Sequence, residues 1–377
     1  MTATRIKGIK ESATFRISNI ASKMRAEGED VISLSLGEPD FPTPSHICEA
    51  AKQALDRGET HYSPSPGIPA LREAIAQKLR EENNLEVEAS NIIVTPGAKQ
   101  AIFEALLSTL DEGDEAVLFN PSWVSYEPAI RLAGAKVVWA STDENFRPSN
   151  LAEFVSHRTR ILVANSPCNP TGAVFTRDNL REIADLSQDF DFLVLSDEIY
   201  EKIIYDQKHW SIGSFPGMEE RTITINGFSK SYAMTGWRLG YAAAPPEVYR
   251  QMLKIHSHSV SQAATFVQHA GIAALQGSQQ PVQEMREEFQ ARRDFLHQKL
   301  QELGIRAPLP QGAFYIFADV SEYGNGEEVA ELLLKKAKVA VTPGIAFGSS
   351  GKNYIRISYA ASMERLAEAV ARMKEAL

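Results

Sequence analysis

Lys230 stands in Asn226-Gly227-Phe228-Ser229-Lys230-Ser231-Tyr232-Ala233-Met234-Thr235-Gly236-Trp237-Arg238, downstream of Asn169-Pro170-Thr171-Gly172 and Ser196-Asp197-Glu198-Ile199-Tyr200. An amine can join an aldehyde as an imine, an acid can keep a pyridine nitrogen protonated, and amide and phenol donors can face a phenolate oxygen. Those are the demands of pyridoxal 5'-phosphate, and the three segments supply them together. A lone lysine would carry no such meaning. Joining an aldehyde and moving a proton both need an uncharged amine near neutral pH, which desolvation and a cationic neighbour can provide.

A phosphate group needs backbone donors and a cation. Thr95-Pro96-Gly97-Ala98-Lys99-Gln100 follows a strand and opens a helix, so the amides of Gly97, Ala98 and Lys99 are expected to face an anion. Arg238 is expected to add a charge-assisted contact. Arg356 sits inside the apolar run Tyr354-Ile355-Arg356-Ile357-Ser358, where a guanidinium has few structural reasons to be. Its planar fork suits a carboxylate.

These residues need a scaffold, and the hydrophobic pattern describes one. Seven short runs, at 92–94, 116–119, 137–139, 161–164, 192–195, 222–225 and 239–243, read as strands, nearly all of them apolar throughout. Such strands belong to a sheet covered on both faces, hence mostly parallel and linked by helices. Thr176 with Asn179 opens a helix through 186, another starts near Pro69, and helical regions are expected over 260–276 and 282–303. Beyond them, 314–317 and 354–358 read as antiparallel strands with helices near 327–336 and 364–377. The fold class is therefore α/β: a large domain over 45–285 with a mostly parallel seven-stranded sheet, and a smaller discontinuous α+β domain from 1–44 and 286–377. Asp197 falls at the carboxyl end of a strand, where open α/β sheets collect ligand groups.

Bulk properties agree. A chain of 377 residues with a formal charge of -9 suits one large and one smaller domain and argues against nucleic acid or an anionic membrane surface as partner. Cys48 and Cys168 are its two cysteines, and their spacing suggests a reducing compartment and no metal framework. The first 25 residues are charged throughout, with no apolar run before a cleavage site, and the longest apolar runs fall well short of the ~20 residues that span a bilayer. A cytoplasmic location is expected, and neither internal repeats nor low-complexity tracts occur.

The chain resembles the class I pyridoxal-phosphate-dependent aminotransferases of fold type I, in their aspartate and aromatic group. The likeness covers essentially the full length, from Ser35-Leu36-Gly37-Glu38-Pro39-Asp40-Phe41 through Ser166-Pro167-Cys168-Asn169-Pro170-Thr171-Gly172 to the strand of Arg356. It implies that Lys230 bonds the cofactor and moves a proton at the substrate Cα. Asp197 would pair with the pyridine nitrogen, while Asn169 and Tyr200 would donate to the phenolate oxygen. Trp123, in Asn120-Pro121-Ser122-Trp123-Val124-Ser125-Tyr126, resembles the aromatic residue stacked on the ring, with Ile199 opposite.

Tyr62 resembles a tyrosine that reaches the neighbouring subunit's phosphate, implying a homodimer with shared active sites. Arg356 would bind the α-carboxylate beside the Gly37 backbone, and Lys99, Ser12 and Thr14 would face a distal carboxylate. One departure stands out: many relatives carry a hydroxyl residue where this chain has Gly227, leaving Ser229 as the nearby phosphate ligand. The implied activity is ping-pong transfer of an amino group from an L-amino acid, aspartate foremost, to 2-oxoglutarate. An aromatic or prephenate aminotransferase and a β-lyase are the alternatives. A regulatory protein built on the same domain would need a DNA-binding module ahead of it, and the expected small-domain arm begins almost at Met1.

Overall fold

The computed structural model describes residues 3–9 and 13–377. Its strands in chain order are β1 (Ile32–Ser33), β2 (Ile92–Thr95), β3 (Glu115–Phe119), β4 (Lys136–Ala140), β5 (Thr159–Asn165), β6 (Leu193–Asp197), β7 (Thr222–Gly227), β8 (Gly240–Ala243), β9 (Tyr315–Asp319), β10 (Val339–Ala340), β11 (Thr342–Pro343) and β12 (Tyr354–Ser358). The helices are α1 (Ala13–Ala26), α2 (Ser45–Asp56), α3 (Pro69–Asn83), α4 (Ala98–Thr109), α5 (Tyr126–Leu132), α6 (Arg177–Phe190), α7 (Pro246–Ser259), α8 (Thr265–Gln276), α9 (Gln280–Glu302), α10 (Gly326–Leu332) and α11 (Met363–Ala376).

All seven expected apolar runs enter one sheet, in the order β2-β8-β7-β6-β5-β3-β4. Pairs from β7 to β4 are parallel, while β8 runs antiparallel to both β2 and β7. Side chains of the inner strands are mostly buried on both faces because helices cover the sheet twice, while on the edge strand β4 Val137, Val138 and Trp139 are half-buried. Thr176 caps α6 as expected: it accepts from the Asn179 amide, and the Asn179 side chain answers the Thr176 N–H. Gly240 lets β8 run against the start of α4, since a Cβ there would lie 2.6 Å from the Gly97 carbonyl carbon.

A second, three-stranded antiparallel sheet has the order β11-β12-β9 and pairs Arg356 with Phe317 and Thr342. Parallel pairing of Ile32 with Val339 and Ser33 with Ala340 ties the early chain to its last third. The helix expected over 260–276 begins only at Thr265. Residues 260–264 are irregular because Gln262, with Thr265 and Gln268 in the first turn of α8, serves the segment over residues 61–68. Gln262 Oε1 accepts the Ser63 N–H at 2.5 Å, Gln268 Oε1 accepts that of Ile68 at 2.7 Å, and the Thr265 hydroxyl donates to the His61 carbonyl at 2.7 Å. Among the described residues, no helix is long and apolar enough to cross a membrane.

Candidate active site

Asp197 ends β6, and its register partner Asn165 ends β5. The Asn165 side chain donates to the Asp197 carbonyl at 3.0 Å and accepts the Asn169 N–H at 2.9 Å, so two neighbouring strand ends fix both candidate residues. Asp197 is only 4% exposed. Its Oδ1 accepts the Ile199 N–H at 3.2 Å and its Oδ2 accepts the Tyr126 hydroxyl at 2.5 Å. Burial pushes this carboxyl up to about 6, even though both donors and the Lys230 charge favour its ionised form.

Lys230 follows β7, the next strand in the sheet. Its Nζ donates to the Gly37 carbonyl at 2.5 Å. Burial lowers the amine to about 8; Glu38 resists that drop, while Arg238 and Arg356 add to it. Residues 37–43 are laid over the lysine loop by side-chain bonds. Thr235 donates to the Glu38 carboxylate, and Thr43 donates to the Ala233 carbonyl at 2.6 Å while accepting from Trp237 Nε1 at 3.0 Å. Gly37 has no room for a side chain, because its Cβ would strike the Tyr315 hydroxyl.

Arg356 enters from β12 and is 2% exposed. Nη1 donates to Asn169 Oδ1 at 2.8 Å and Nη2 to the Ser35 carbonyl at 2.6 Å. The guanidinium lies over the Tyr315 and Phe347 rings, 4.5 and 4.9 Å from their centroids. The Tyr315 hydroxyl is 2.8 Å from that of Tyr200, so the two sheets meet through a pair of phenols.

Gly97 has φ +89°, and a Cβ there would lie 2.6 Å from Arg238 Nη2. The glycine thus makes a cradle with a cation at its rim. Contrary to the expectation that its amide faces an anion, its own N–H is taken by the Thr95 carbonyl at 2.7 Å, which leaves the first-turn amides of α4, beginning at Ala98, outside helical pairing. Lys99 Nζ lies 4.9 Å from the Trp123 ring centroid, and burial followed by the Arg238 charge lowers its pKa. Gly227 has a packing reason: a Cβ there would lie 2.9 Å from the Gly240 Cα and 3.3 Å from Ile199 Cδ1. A hydroxyl side chain has no room at that position.

A cavity of about 450 Å³ gathers Gly37, Ala98, Lys99, Trp123, Asn169, Asp197, Ile199, Tyr200, Ser229, Lys230, Arg238 and Arg356. Tyr62 is 92% exposed and stands apart from this lining. Ser12 lies outside the described residues, and for Thr14 only the helical backbone is described. Cys168 is buried, which pushes its thiol up to about 11 and leaves it unreactive. Tyr126, Asn165 and Tyr315 carry no signal of their own in the sequence, since each acts through a partner that only folding supplies.

Comparison with known proteins places this geometry in context. The family described as Aminotransferase class I and II matches residues 29–373. The "Probable aspartate aminotransferase" of Methanocaldococcus jannaschii is 46% identical over 383 residues, covering 100% of this chain and 99% of that protein. "Aromatic-amino-acid aminotransferase 2" of Thermococcus litoralis is 47% identical and covers 93% and 92%. Among solved structures, aspartate aminotransferase from Thermus thermophilus with maleate superposes with a TM-score of 0.97 at 42% identity, covering 100% of both chains.

Proposed function

This chain belongs to the class I and II aminotransferase family and is a transaminase, and from that premise we propose that it uses pyridoxal 5'-phosphate to move the amino group of L-aspartate to 2-oxoglutarate. The observation that carries the reading is the convergence of Lys230, Asp197, Asn169 and Arg356 on one cavity. The residues fit the cofactor: the Gly97 cradle beside Arg238 suits a phosphate, the carboxylate of Asp197 suits a pyridinium, and Tyr200 offers a phenol donor. When bound, the cofactor supplies an aldehyde conjugated to an electron-accepting ring.

The chain's own residues do the rest. Lys230 would bond the cofactor and, as a free amine, would take and return a proton at the substrate Cα. An amine near 8 is partly neutral at physiological pH and suited to both directions. Asp197 would keep a proton on the ring nitrogen by ion pairing. Asn169 and Tyr200 would hold the ring through its phenolate oxygen, with Trp123 and Ile199 as the apolar walls beside it. The amides of Ala98 and Lys99, with Ser229 and Arg238, would hold the phosphate. Arg356 binds the α-carboxylate with Gly37 close by, and its buried Nε has no partner among the described residues, which leaves donor capacity for a ligand.

Specificity for a second carboxylate would come from Lys99, assisted by Ser12 and Thr14. We further propose the division into 45–285 and 1–44 with 286–377, the second unit carrying Arg356 over the cofactor. Exposed Tyr62 would complete the site of a second copy, giving a homodimer, and the two unpaired cysteines fit the cytoplasm. Borohydride reduction of the native protein should leave a pyridoxyl group on Lys230, found by peptide mass spectrometry. Aspartate with 2-oxoglutarate should yield oxaloacetate; an unlabelled Lys230 or absent product sinks the proposal. Aromatic amino acids or prephenate form the second reading, favoured by the aromatic wall of Trp123 and Tyr315 and by the relative named for aromatic substrates. Relative kcat/KM on aspartate and phenylalanine decides between them.

A further inference from the structure

Tyr126 opens α5 one turn after Trp123, in the segment that leaves β3. Its side chain is fully buried. The Trp123 ring packs edge-on against it, centroids 5.2 Å apart at 76°, which fixes the phenol's direction. The hydroxyl donates to Asp197 Oδ2 at 2.5 Å, while the opposite oxygen accepts the Ile199 N–H. With one donor on each oxygen, the carboxylate cannot rotate about its Cβ–Cγ bond without losing both. One short segment therefore supplies both a wall of the cavity, Trp123, and the clamp on its acid.

We propose that Tyr126 is a positioning residue for Asp197, holding its carboxylate in the orientation that meets the ring nitrogen of the bound cofactor. The inference rests on the cofactor reading above for its purpose, but the clamp exists in the protein alone. Charged and titratable neighbours are few: Glu198 and Lys230 act on Asp197, and Cys168 and Tyr200 act on Tyr126. Burial, and then the Asp197 charge, push the Tyr126 phenol well above its ordinary value, so it remains the donor.

Cofactor-free protein tests the clamp through Tyr126→Phe, Asp197→Asn and the double variant. The Asp197 carboxyl is raised from 3.8 to about 6 in the folded chain. It therefore weakens the fold as pH climbs through that window, because ionisation is easier once the chain unfolds. Losing the Tyr126 donor should extend the window upward by about one to two pH units. The gap in unfolding midpoint between Tyr126→Phe and the natural chain should then widen from about pH 5 to about pH 8. That widening should vanish in the Asp197→Asn background.

A gap independent of pH, or a widening that survives Asp197→Asn, overturns the proposal. If Tyr126→Phe alone does not fold, folding of the double variant supports the clamp and its failure overturns it. In the holoenzyme, Tyr126→Phe should lower kcat by about tenfold or more with KM for aspartate held within about twofold. A raised KM at unchanged kcat also overturns it. Failure of Lys230 to take a pyridoxyl label would instead sink the cofactor reading and leave the apoprotein result standing.

Discussion

Arg356 Nη1 donates to Asn169 Oδ1 across 2.8 Å, joining the three-stranded sheet to the loop that leaves β5. A guanidinium held this way, with Nη2 on the Ser35 carbonyl and aromatic rings around it, is oriented before any carboxylate arrives. That arrangement exploits the planar fork, which an ammonium lacks.

Arg356→Lys keeps the charge and loses the fork. It should lower kcat/KM for every amino acid by about 10- to 100-fold, the worth of charge-assisted hydrogen bonds of ~1.5–3 kcal/mol. Steady-state kinetics with aspartate and phenylalanine check this, and a loss confined to one substrate contradicts a role at the α-carboxylate.

Lys230 should become nucleophilic at unusually low pH. Its amine is charged below about 8 and neutral above, so reaction of the apoprotein with an amine-directed reagent should rise through that pH. A lysine amine in water has an ordinary pKa of ~10.4. Peptide mass spectrometry across pH reads the midpoint; one near the ordinary value refutes the burial argument.

Lys99→Ala should discriminate between substrates. Its Nζ lies beside Trp123 in the cavity, so losing it should weaken aspartate by about tenfold or more and leave phenylalanine nearly unchanged. Equal losses for both would remove Lys99 from specificity.

Behind the site, Lys78 pairs with Glu201, and Asn83 donates to both Glu201 and Glu198. Burial alone would raise the Glu201 carboxyl, but the Lys78 and His209 charges hold it at about 2. Lys78→Ala leaves that carboxylate buried without its cation and should cost ~3–5 kcal/mol of stability. The folded pKa is depressed from 4.5, so this contribution is present above about 4.5 and is lost as pH falls toward about 2. Unfolding at about pH 7 and about pH 3 should therefore show a smaller variant effect at the lower pH.

Much of the architecture was legible before folding. Apolar runs such as 161–164 and 192–195 carry their own evidence for a covered parallel sheet, and Thr176 with Asn179 carries a complete capping box. The helix expected over 260–276 failed at its start because Gln262 and Thr265 answer groups near residue 63, some 200 positions away in sequence. Local periodicity has no access to such partners. Gly97 illustrates the same limit within a motif: the glycine was evident, but not that Thr95 occupies its N–H.

The sequence by itself determined the chemical inventory: the lysine at 230, the acid at 197, the arginine at 356, and the apolar strands that lie among them along the chain. Those follow from residue type and hydrophobic period, which are local properties. Only the tertiary structure decided which groups touch. Tyr126 reaches Asp197 over 71 positions and Lys230 reaches Gly37 over 193, and burial at those contacts moves the acid up and the amine down. Proton affinity depends on the dielectric and charges brought together in space, and the folded chain alone sets that environment.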